Sequence, residues 1–436
     1  MFVTGRLVVL VAVGAVPLVV LTSAGLAPWA VLGGWLVLCL ASTALDAAAA
    51  ASPRLLSLTR SVPPRARLGM PVDTTIAVRN TGPRRLRGQL RDAWQPTAGA
   101  PLRRERLSIG PGETQTLGIP LLPRRRGELR SEFVAVRSSG PLGLAGRQRR
   151  LDVPAALRVL PPFASRRHLA SRVARLDELD GATSVQVRGQ GTEFDSLRPY
   201  VRGDDVRSID WRATARAGTT MLRTWRPERD RHVVVVVDTG RTSAARVGDG
   251  VRLDAGFEAA LLLAALAQHA GDHVHLVAFD RLVRARVSRV DGPTLLPALV
   301  DALAPVEPSL LDTDWDAAFA AVRALGVRPA LIVLLTAQDE PEASRGFLSA
   351  LPGLAAHATV LVGTATDVVA EASVSMPPVD ADDAYRHAAT ARTLSDAGRV
   401  ARAIERAGAE PVAAAPDDLP VRIADRYLAL KALGRL

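Results

Sequence analysis

Two apolar stretches open the chain, and alternating and then continuous apolar patterns follow them. From Leu7 to Leu45 there is no charged side chain, and the turn TSAGLAP divides this region into two halves. Each half approaches the roughly 20 apolar residues that cross a bilayer core. The pattern predicts a transmembrane helical hairpin over residues 1–50.

The first half also has the three parts of a secretory signal peptide: Arg6, an apolar stretch and small residues. A second apolar stretch follows immediately and would still have to lie in a membrane, so the hairpin is the preferred interpretation. Arginines precede the first span and follow the second, at Arg54 and Arg60 for example, whereas the turn carries no charge. The positive-inside rule then predicts a plasma-membrane protein whose N-terminus and soluble domains are both cytoplasmic.

Short alternating segments such as TTIAVRN and SEFVAV, separated by Gly/Pro turns, follow a Pro/Arg-rich stretch over residues 51–67. We expect residues 51–67 to be a linker. Several short strands with regular turns predict an antiparallel β-sandwich, immunoglobulin-like or fibronectin-like, over residues 68–162.

After a connecting segment, residues 163–230, the apolar pattern changes. Continuous apolar runs such as HVVVVVD and ALIVLLT alternate with helical stretches such as LDAGFEAALLLAALAQHA. Strands of this kind are buried on both sides, and they predict a parallel sheet with helices on both faces. The expected fold of residues 231–436 is a doubly wound, Rossmann-like α/β domain.

The residues after the valine run resemble the metal-binding motif of von Willebrand factor A domains, which is Asp-x-Ser-x-Ser with a distant Thr and Asp. Asp238, Thr242 and Thr313 match it, whereas Gly240 and Ala337 replace a hydroxyl and a carboxylate of the pattern. In that family the motif holds Mg²⁺ with an open position for a partner's carboxylate. Because hard cations need several oxygen ligands, we expect no cofactor here, or only weakly bound Mg²⁺.

The stretch GTEFDSLRPYVRGDDVRSIDWRATAR, residues 191–216, is similar to the signature of the DUF58 family. The matching residues are Glu193, Arg198, Tyr200, Gly203, Asp204, Asp205, Arg207, Asp210, Trp211 and Arg216. The resemblance implies a protein without established activity that acts beside a MoxR-type AAA+ ATPase, with a transglutaminase-like membrane protein in the same system.

Acidic and basic residues are nearly equal in this signature, which argues against a phosphate-binding role. We expect an internal ion-pair network, with Ile209 and Trp211 buried, that joins the β-sandwich to the α/β domain. A partner-docking surface and a catalytic carboxylate site remain alternatives. The net charge of +11 comes with only 4% aromatic residues, so nucleic-acid binding by base stacking is not expected.

These patterns predict a non-catalytic, membrane-anchored adaptor that docks a protein partner, a MoxR-type ATPase by resemblance. One alternative is a divalent-metal-dependent hydrolase or nuclease that uses the carboxylates of residues 191–216. Another is a cell-surface adhesion protein, because many A domains have that role.

Protease treatment of intact cells separates the adaptor from the adhesion protein. The charge pattern predicts that the soluble domains resist an added protease until the membrane is permeabilised. Immunoblotting for a C-terminal tag measures this, and cleavage in intact cells would support the adhesion protein instead.

Overall fold

The computed structural model describes residues 1–102, 104–183, 193–201, 206–226, 231–248 and 250–436. The chain divides into two units, Met1–Leu160 and Pro161–Leu436.

Apolar helices begin the first unit. They are α1 (Gly5–Val13), α2 (Ala15–Ser23) and α3 (Pro28–Ala49), and the short strand β1 (Phe2–Val3) precedes them. Gly14 separates α1 from α2 and leaves room for the ring of Trp35, because a Cβ at this position would overlap that ring. The spans Gly5–Ser23 and Pro28–Leu55 are long and apolar enough to cross a membrane, which is compatible with membrane anchoring.

The C-terminal end of α3 is attached to the loop of residues 140–144 through Asp46, which is 1% exposed. Its Oδ1 accepts a hydrogen bond from the amide of Leu142 at 2.7 Å, and its Oδ2 accepts from the amides of Leu144 at 2.7 Å and Ala145 at 2.9 Å. A Cβ at Gly140 would overlap Asp46. The carboxylate therefore provides the hydrogen-bond acceptor for three backbone amides.

The remaining elements of this unit are strands: β2 (Leu56–Ser61), β3 (Arg65–Arg67), β4 (Val72–Asn80), β5 (Leu86–Trp94), β6 (Glu105–Ile109), β7 (Thr114–Leu121), β8 (Gly127–Ser139) and β9 (Ala145–Leu160). One sheet has the order β1-β9-β8-β5-β6 with β3 beside β9, and the other has the order β2-β4-β7. Their inward-facing residues, such as Ile76 and Val134, form one buried core. The two sheets therefore form a β-sandwich.

The expected linker over residues 51–67 was wrong, because most of it is part of the sandwich. Strand β2 pairs antiparallel with β4 from Leu56 to Ser61, and β3 pairs parallel with β9. Along β2 the side chains alternate in exposure, beginning with the buried Leu56. Proline and arginine gave the stretch the composition of a linker, although its middle has the alternation of a half-buried strand.

Arg60 of β2 and Asp92 of β5 form a buried ion pair between the two sheets. The guanidinium Nη2 lies 2.6 Å from the carboxylate Oδ1, and each side chain is 3% exposed. Ser131 donates a second hydrogen bond to the same oxygen at 2.8 Å. Burial lowers the pKa of Arg60, whereas the charge of Asp92 raises it. The two charges compensate each other inside the sandwich, so neither is tolerated there alone.

The second unit contains the helices α4 (Leu169–Thr183), α5 (Trp211–Ala217), α6 (Arg252–His269), α7 (Leu295–Leu303), α8 (Trp315–Arg323), α9 (Arg345–Ala355), α10 (Val368–Ser375), α11 (Ala381–Arg406) and α12 (Leu419–Ala432). Its strands are β10 (Glu193–Pro199), β11 (Met221–Arg226), β12 (His232–Asp238), β13 (Arg246–Val247), β14 (Gly250–Val251), β15 (His273–Phe279), β16 (Val283–Val287), β17 (Pro329–Leu335), β18 (Thr359–Ala365) and β19 (Glu410–Ala414).

Six of these strands form one sheet in the order β16-β15-β12-β17-β18-β19. All neighbours are parallel except β16, which runs antiparallel to β15. Val233, Val235 and Val237 pack with α6, α7 and α12, whereas Val234 and Val236 pack with α8, α9 and α11. Helices thus cover both faces, which explains why the strands are continuously apolar.

The strand order changes direction at β12, because the chain continues to β15 on one side and to β17 on the other. At such a point the two connections leave in opposite directions and open a crevice beyond the carboxyl ends of the strands. Asp238 and Thr336 lie at this crevice, at the ends of β12 and β17.

The ion pair in the sandwich gives a prediction. Replacing Arg60 with methionine leaves a buried carboxylate without its cation, so we expect the sandwich to lose about 3–5 kcal/mol of stability. The double variant Arg60→Met/Asp92→Leu should recover most of that loss. Hydrogen exchange of peptides from β2 and β5 measures the change in this unit alone.

The matched control is Arg87→Met, because Arg87 is an exposed residue of β5 and its replacement should change stability by no more than about 0.5 kcal/mol. A double variant as unstable as Arg60→Met would contradict the conclusion that the charges of Arg60 and Asp92 compensate each other.

Candidate functional site

Asp238 is the centre of the site, and this residue is 2% exposed. Oδ1 accepts hydrogen bonds from the hydroxyl of Thr313 at 2.5 Å and the amide of Gly240 at 2.8 Å. Oδ2 accepts from the hydroxyl of Thr336 at 2.6 Å and from that of Thr242 at 3.4 Å. Four donors therefore surround one buried carboxyl group, and the structure brings together all three residues predicted from the metal motif.

The local sequence explains this convergence. Strand β12 ends at Asp238, and the hydroxyl of Ser243 donates to the Asp238 backbone carbonyl at 2.6 Å, which turns the chain back over the strand end. Thr313 precedes Asp314, whose side chain caps α8 by accepting from the amide of Ala317 at 3.0 Å. This N-cap sets where α8 begins and so where the Thr313 hydroxyl lies.

Burial raises the pKa of Asp238, and the hydrogen bonds from Thr313, Thr336, Gly240 and Thr242 oppose that shift. Desolvation is the larger effect because the ionised form leaves water without acquiring a neighbouring cation. The fold therefore tolerates the charge of Asp238 at a cost, which is a common property of functional sites.

The residues present do not fit a stable magnesium site. The hydroxyls of Thr313 and Thr336 donate directly to Asp238, and Ala337 provides no carboxylate. A Cβ at Gly240 would overlap the hydroxyl oxygen of Thr313, so the place of a serine is already taken. Within the described part of the chain, no group of three or more His, Cys, Asp or Glu side chains could hold a metal. Mg²⁺ needs about six oxygens in octahedral array.

A cavity of about 730 Å³ opens over this carboxyl group. Its charged lining comprises Asp238, Arg241, Arg252, Asp312, Asp339, Glu340, Arg392 and Asp396. Arg252 forms an ion pair with Asp339, and Arg241 pairs with Asp312 at 3.0 Å. The aromatic ring of Trp315 forms part of the wall. The volume is that of a pocket for a small molecule or a few side chains.

The second candidate region is a small subdomain built from the signature. Strands β10 and β11 form an antiparallel hairpin, and α5 lies between them in sequence. Asp210 caps α5 by accepting from the amides of Arg212 at 2.9 Å and Ala213 at 3.0 Å, and it pairs with Arg223 at 2.7 Å. The Ala213 amide and Arg223 hold the pKa of Asp210 below its usual value. This carboxylate has a capping role, which satisfies its oxygens.

The expected burial of Trp211 was wrong, because this side chain is 70% exposed. Trp211 is the first residue of α5, and in that first turn it is Ala213 that packs inward. Ile209 is half-buried and forms a β-bridge with Leu222. An exposed tryptophan is unusual on a folded surface and is common at protein interfaces.

The other signature residues that the structure describes make local contacts or are exposed. Tyr200 donates its amide to the carbonyl of Thr220 at 2.8 Å, and Arg198 contacts the carbonyl of Pro199 at 3.2 Å. Arg207 and Arg216 are exposed. The predicted residues Gly203, Asp204 and Asp205 lie outside the described residues, as does the side chain of Glu193, whose backbone begins β10.

A family comparison covers both regions. The profile of the family described as "Protein of unknown function DUF58" matches residues 196–395. Residues 196–395 are a DUF58 region. The matched range contains β11 and most of β10, the three threonines around Asp238 and most of the cavity lining.

No curated protein matches this DUF58 protein. Solved structures show weak similarity over about a quarter of the chain. A PapD-like domain of human CEP192 is 13% identical, with a TM-score of 0.19 over 25% of this chain and 89% of that domain. The CARDB domain of PF1109 from Pyrococcus furiosus is 16% identical, with a TM-score of 0.18 over 24% of this chain and 86% of that domain. The Salmonella alpha-2-macroglobulin that was reacted with methylamine is 18% identical, with a TM-score of 0.20 over 24% of this chain and 7% of that chain.

Several residues of the DUF58 site were not identified from the sequence. Thr336 ends a buried strand, and only the sheet register brings its hydroxyl to Asp238. Arg252 and Asp339 are 87 residues apart in sequence. A possible signal was that a polar residue directly follows each apolar strand, because the carboxyl ends of parallel strands meet at one edge.

The raised pKa of Asp238 gives a prediction about stability. A carboxyl group whose pKa is raised by folding contributes stability below its unfolded pKa and loses it as the pH rises through the folded pKa. We therefore expect Asp238→Asn to be at least as stable as the wild type at pH 7, with an advantage that shrinks towards pH 4. Urea unfolding followed by tryptophan fluorescence measures this.

Asp316→Asn is the control, because Asp316 is exposed on α8 and should show no such trend. If Asp238→Asn is strongly destabilised at pH 7, then the carboxylate is a structural requirement of the loop.

Proposed function

We propose that this DUF58 protein is a membrane-anchored adaptor without catalysis of its own. Its α/β unit would hold a protein partner at the cavity over Asp238, which is called the Asp238 pocket below. The observation that carries this proposal is the buried carboxyl group at the floor of an open cavity, at the point where the strand order changes direction. Ligands bind at this position in parallel α/β sheets.

The chemistry of the pocket favours binding over catalysis. The lining contains Asp, Glu, Arg, Thr, Ser, Gln, Ala and Trp, and among these described residues there is no histidine, cysteine or lysine. A general base needs a free lone pair within reach of the proton that it removes. The oxygens of Asp238 already accept from four donors, so this carboxyl group is poorly suited to that role.

The α/β unit is proposed to be von Willebrand factor A-like, with a docking function that no longer depends on metal. The parallel sheet and the match of Asp238, Thr242 and Thr313 to the motif support the likeness. Direct hydrogen bonds from the hydroxyls to the carboxyl group take the place that metal ligation has in such domains. The proposed partner is a MoxR-type AAA+ ATPase, with a transglutaminase-like membrane protein in the same system.

The proposed location is the plasma membrane, with α1–α2 and α3 as two spans and both units in the cytoplasm. The exposed Trp211 is proposed as a second contact for the partner. Tryptophan and arginine dominate the energetics of many interfaces, and Trp211 is flanked by the exposed Arg212.

Affinity capture tests the docking role. Tagged full-length protein is recovered from gently solubilised membranes of its own cells, and the bound proteins are identified by mass spectrometry. We expect an AAA+ ATPase with the wild type and at least about a tenfold lower yield with Asp238→Ala, which corresponds to about 1.4 kcal/mol of binding free energy.

The control is Asp316→Ala, an equal change at an exposed acidic residue outside the pocket, which should capture as the wild type does. Thermal unfolding of all three proteins shows whether the site variant is folded. Equal capture by a folded Asp238→Ala would contradict docking at this pocket.

A further inference from the structure

The charges of the Asp238 pocket are unequal. Five carboxyl groups and three guanidinium groups line it: Asp238, Asp312, Asp339, Glu340 and Asp396 against Arg241, Arg252 and Arg392. A cavity whose walls carry an excess of one sign attracts a ligand of the opposite sign.

The three arginines already have acidic partners within the lining. Arg241 lies 3.0 Å from Asp312, Arg252 is paired with Asp339, and Arg392 lies 3.9 Å from Asp396. An anionic ligand would have to compete with these pairs. The basic groups of the pocket are therefore poorly placed to receive a carboxylate.

Two acidic groups have no cation beside them within the described residues. Asp238 accepts only from hydroxyls and one amide, and Glu340 is exposed at the mouth without a side-chain partner. Both line the same cavity, Asp238 from the end of β12 and Glu340 from the segment after β17, so a basic ligand bound there would face carboxyl groups from two elements. The hydrogen bond from Thr242 to Oδ2 is long, at 3.4 Å, so a charged donor could displace it.

The wall of the Asp238 pocket has apolar surface that the methylene groups of a long side chain could contact. Trp315 lines the pocket and is held by Phe319 and Phe347, whose ring centroids lie 5.7 and 4.8 Å from its own. Ala244, Ala245 and Ala343 are also in the lining. Lysine and arginine pack their methylene groups on apolar surfaces of this kind while the charged end reaches a polar partner.

We propose that the Asp238 pocket receives a basic side chain, arginine or lysine, from the protein partner. This inference rests on the proposed docking function and names the chemistry of the group that docks. It reverses the polarity of a metal-bridged site: the positive charge comes from the partner's side chain, and the carboxylate is this chain's own.

The test uses the full-length protein in nanodiscs and small probes observed by NMR titration. The probes are N-acetyl-arginine amide, its uncharged analogue N-acetyl-citrulline amide, and N-acetyl-aspartate amide with and without Mg²⁺. We expect saturable binding of the arginine probe in the millimolar range, because one side chain carries only a small part of an interface. The citrulline and aspartate probes should bind at least about tenfold more weakly.

Glu340→Gln and Asp238→Asn should each weaken the arginine probe about three- to tenfold, the range of a single hydrogen bond whose partners are otherwise hydrated. The matched control is Glu342→Gln, an equal change two residues along the chain at a glutamate that pairs with Arg345 outside the pocket. It should bind the probe as the wild type does.

Three results would overturn the inference: no saturable binding of the arginine probe, equal binding of the citrulline probe, or preferred binding of the aspartate probe with Mg²⁺. The affinity-capture experiment distinguishes a failure of this inference from a failure of the proposed docking function. If capture still requires Asp238 while the arginine probe fails, docking stands and the basic side chain is wrong.

Discussion

A parallel sheet that is covered on both faces disfavours polar side chains along its strands, so most of them lie where the strands end. Five consecutive valines of β12 are buried in this way, so the polar residue that follows them, Asp238, comes at the crevice where the strand order changes direction. The neighbouring strand delivers Thr336 to the same edge through its register with β12. The position of the candidate site is therefore a consequence of the sheet.

The environment of Asp238 has been adapted to a carboxyl group without a nearby cation. Hydroxyl and amide donors replace part of the hydration that the carboxyl group loses on burial. The remaining loss of hydration raises the pKa of Asp238. A glycine at position 240 allows Thr313 to approach closely enough to donate. Such an arrangement keeps a polar group at the wall of a cavity at some expense in stability, which is the usual relation between a binding site and the fold that carries it.

Local patterns predicted the elements whose burial is continuous or strictly alternating. The valine run and the segment TTIAVRN are strands in the structure because their periodicity matches the burial of their side chains. Strand β2 was not predicted, because its arginine, Arg60, is neutralised by Asp92, 32 residues further along the chain. Trp211 was misjudged for a similar reason, since only the tertiary structure shows that Ala213 takes the inward position in α5. Contacts between distant residues carry information that no local period contains.

The residues of the site also differ in whether the local sequence could predict them. Asp238 was identifiable because a carboxylate directly after an apolar strand is placed by the sheet itself. The ion pair of Arg252 and Asp339 could not be foreseen, because it joins the start of α6 to the segment after β17.

The attachment of Asp46 to the 140–144 loop has a mechanical consequence. Three amide hydrogen bonds, together with the hydroxyl of Thr4 donating to the carbonyl of Gly143 at 2.6 Å, connect the beginning and the end of the helical region to one loop of the sandwich. Because of these contacts, we expect the last turn of α3 and the start of β9 to move together as one rigid body. A tilt of the apolar helices is passed to the sandwich as a rotation of the whole domain.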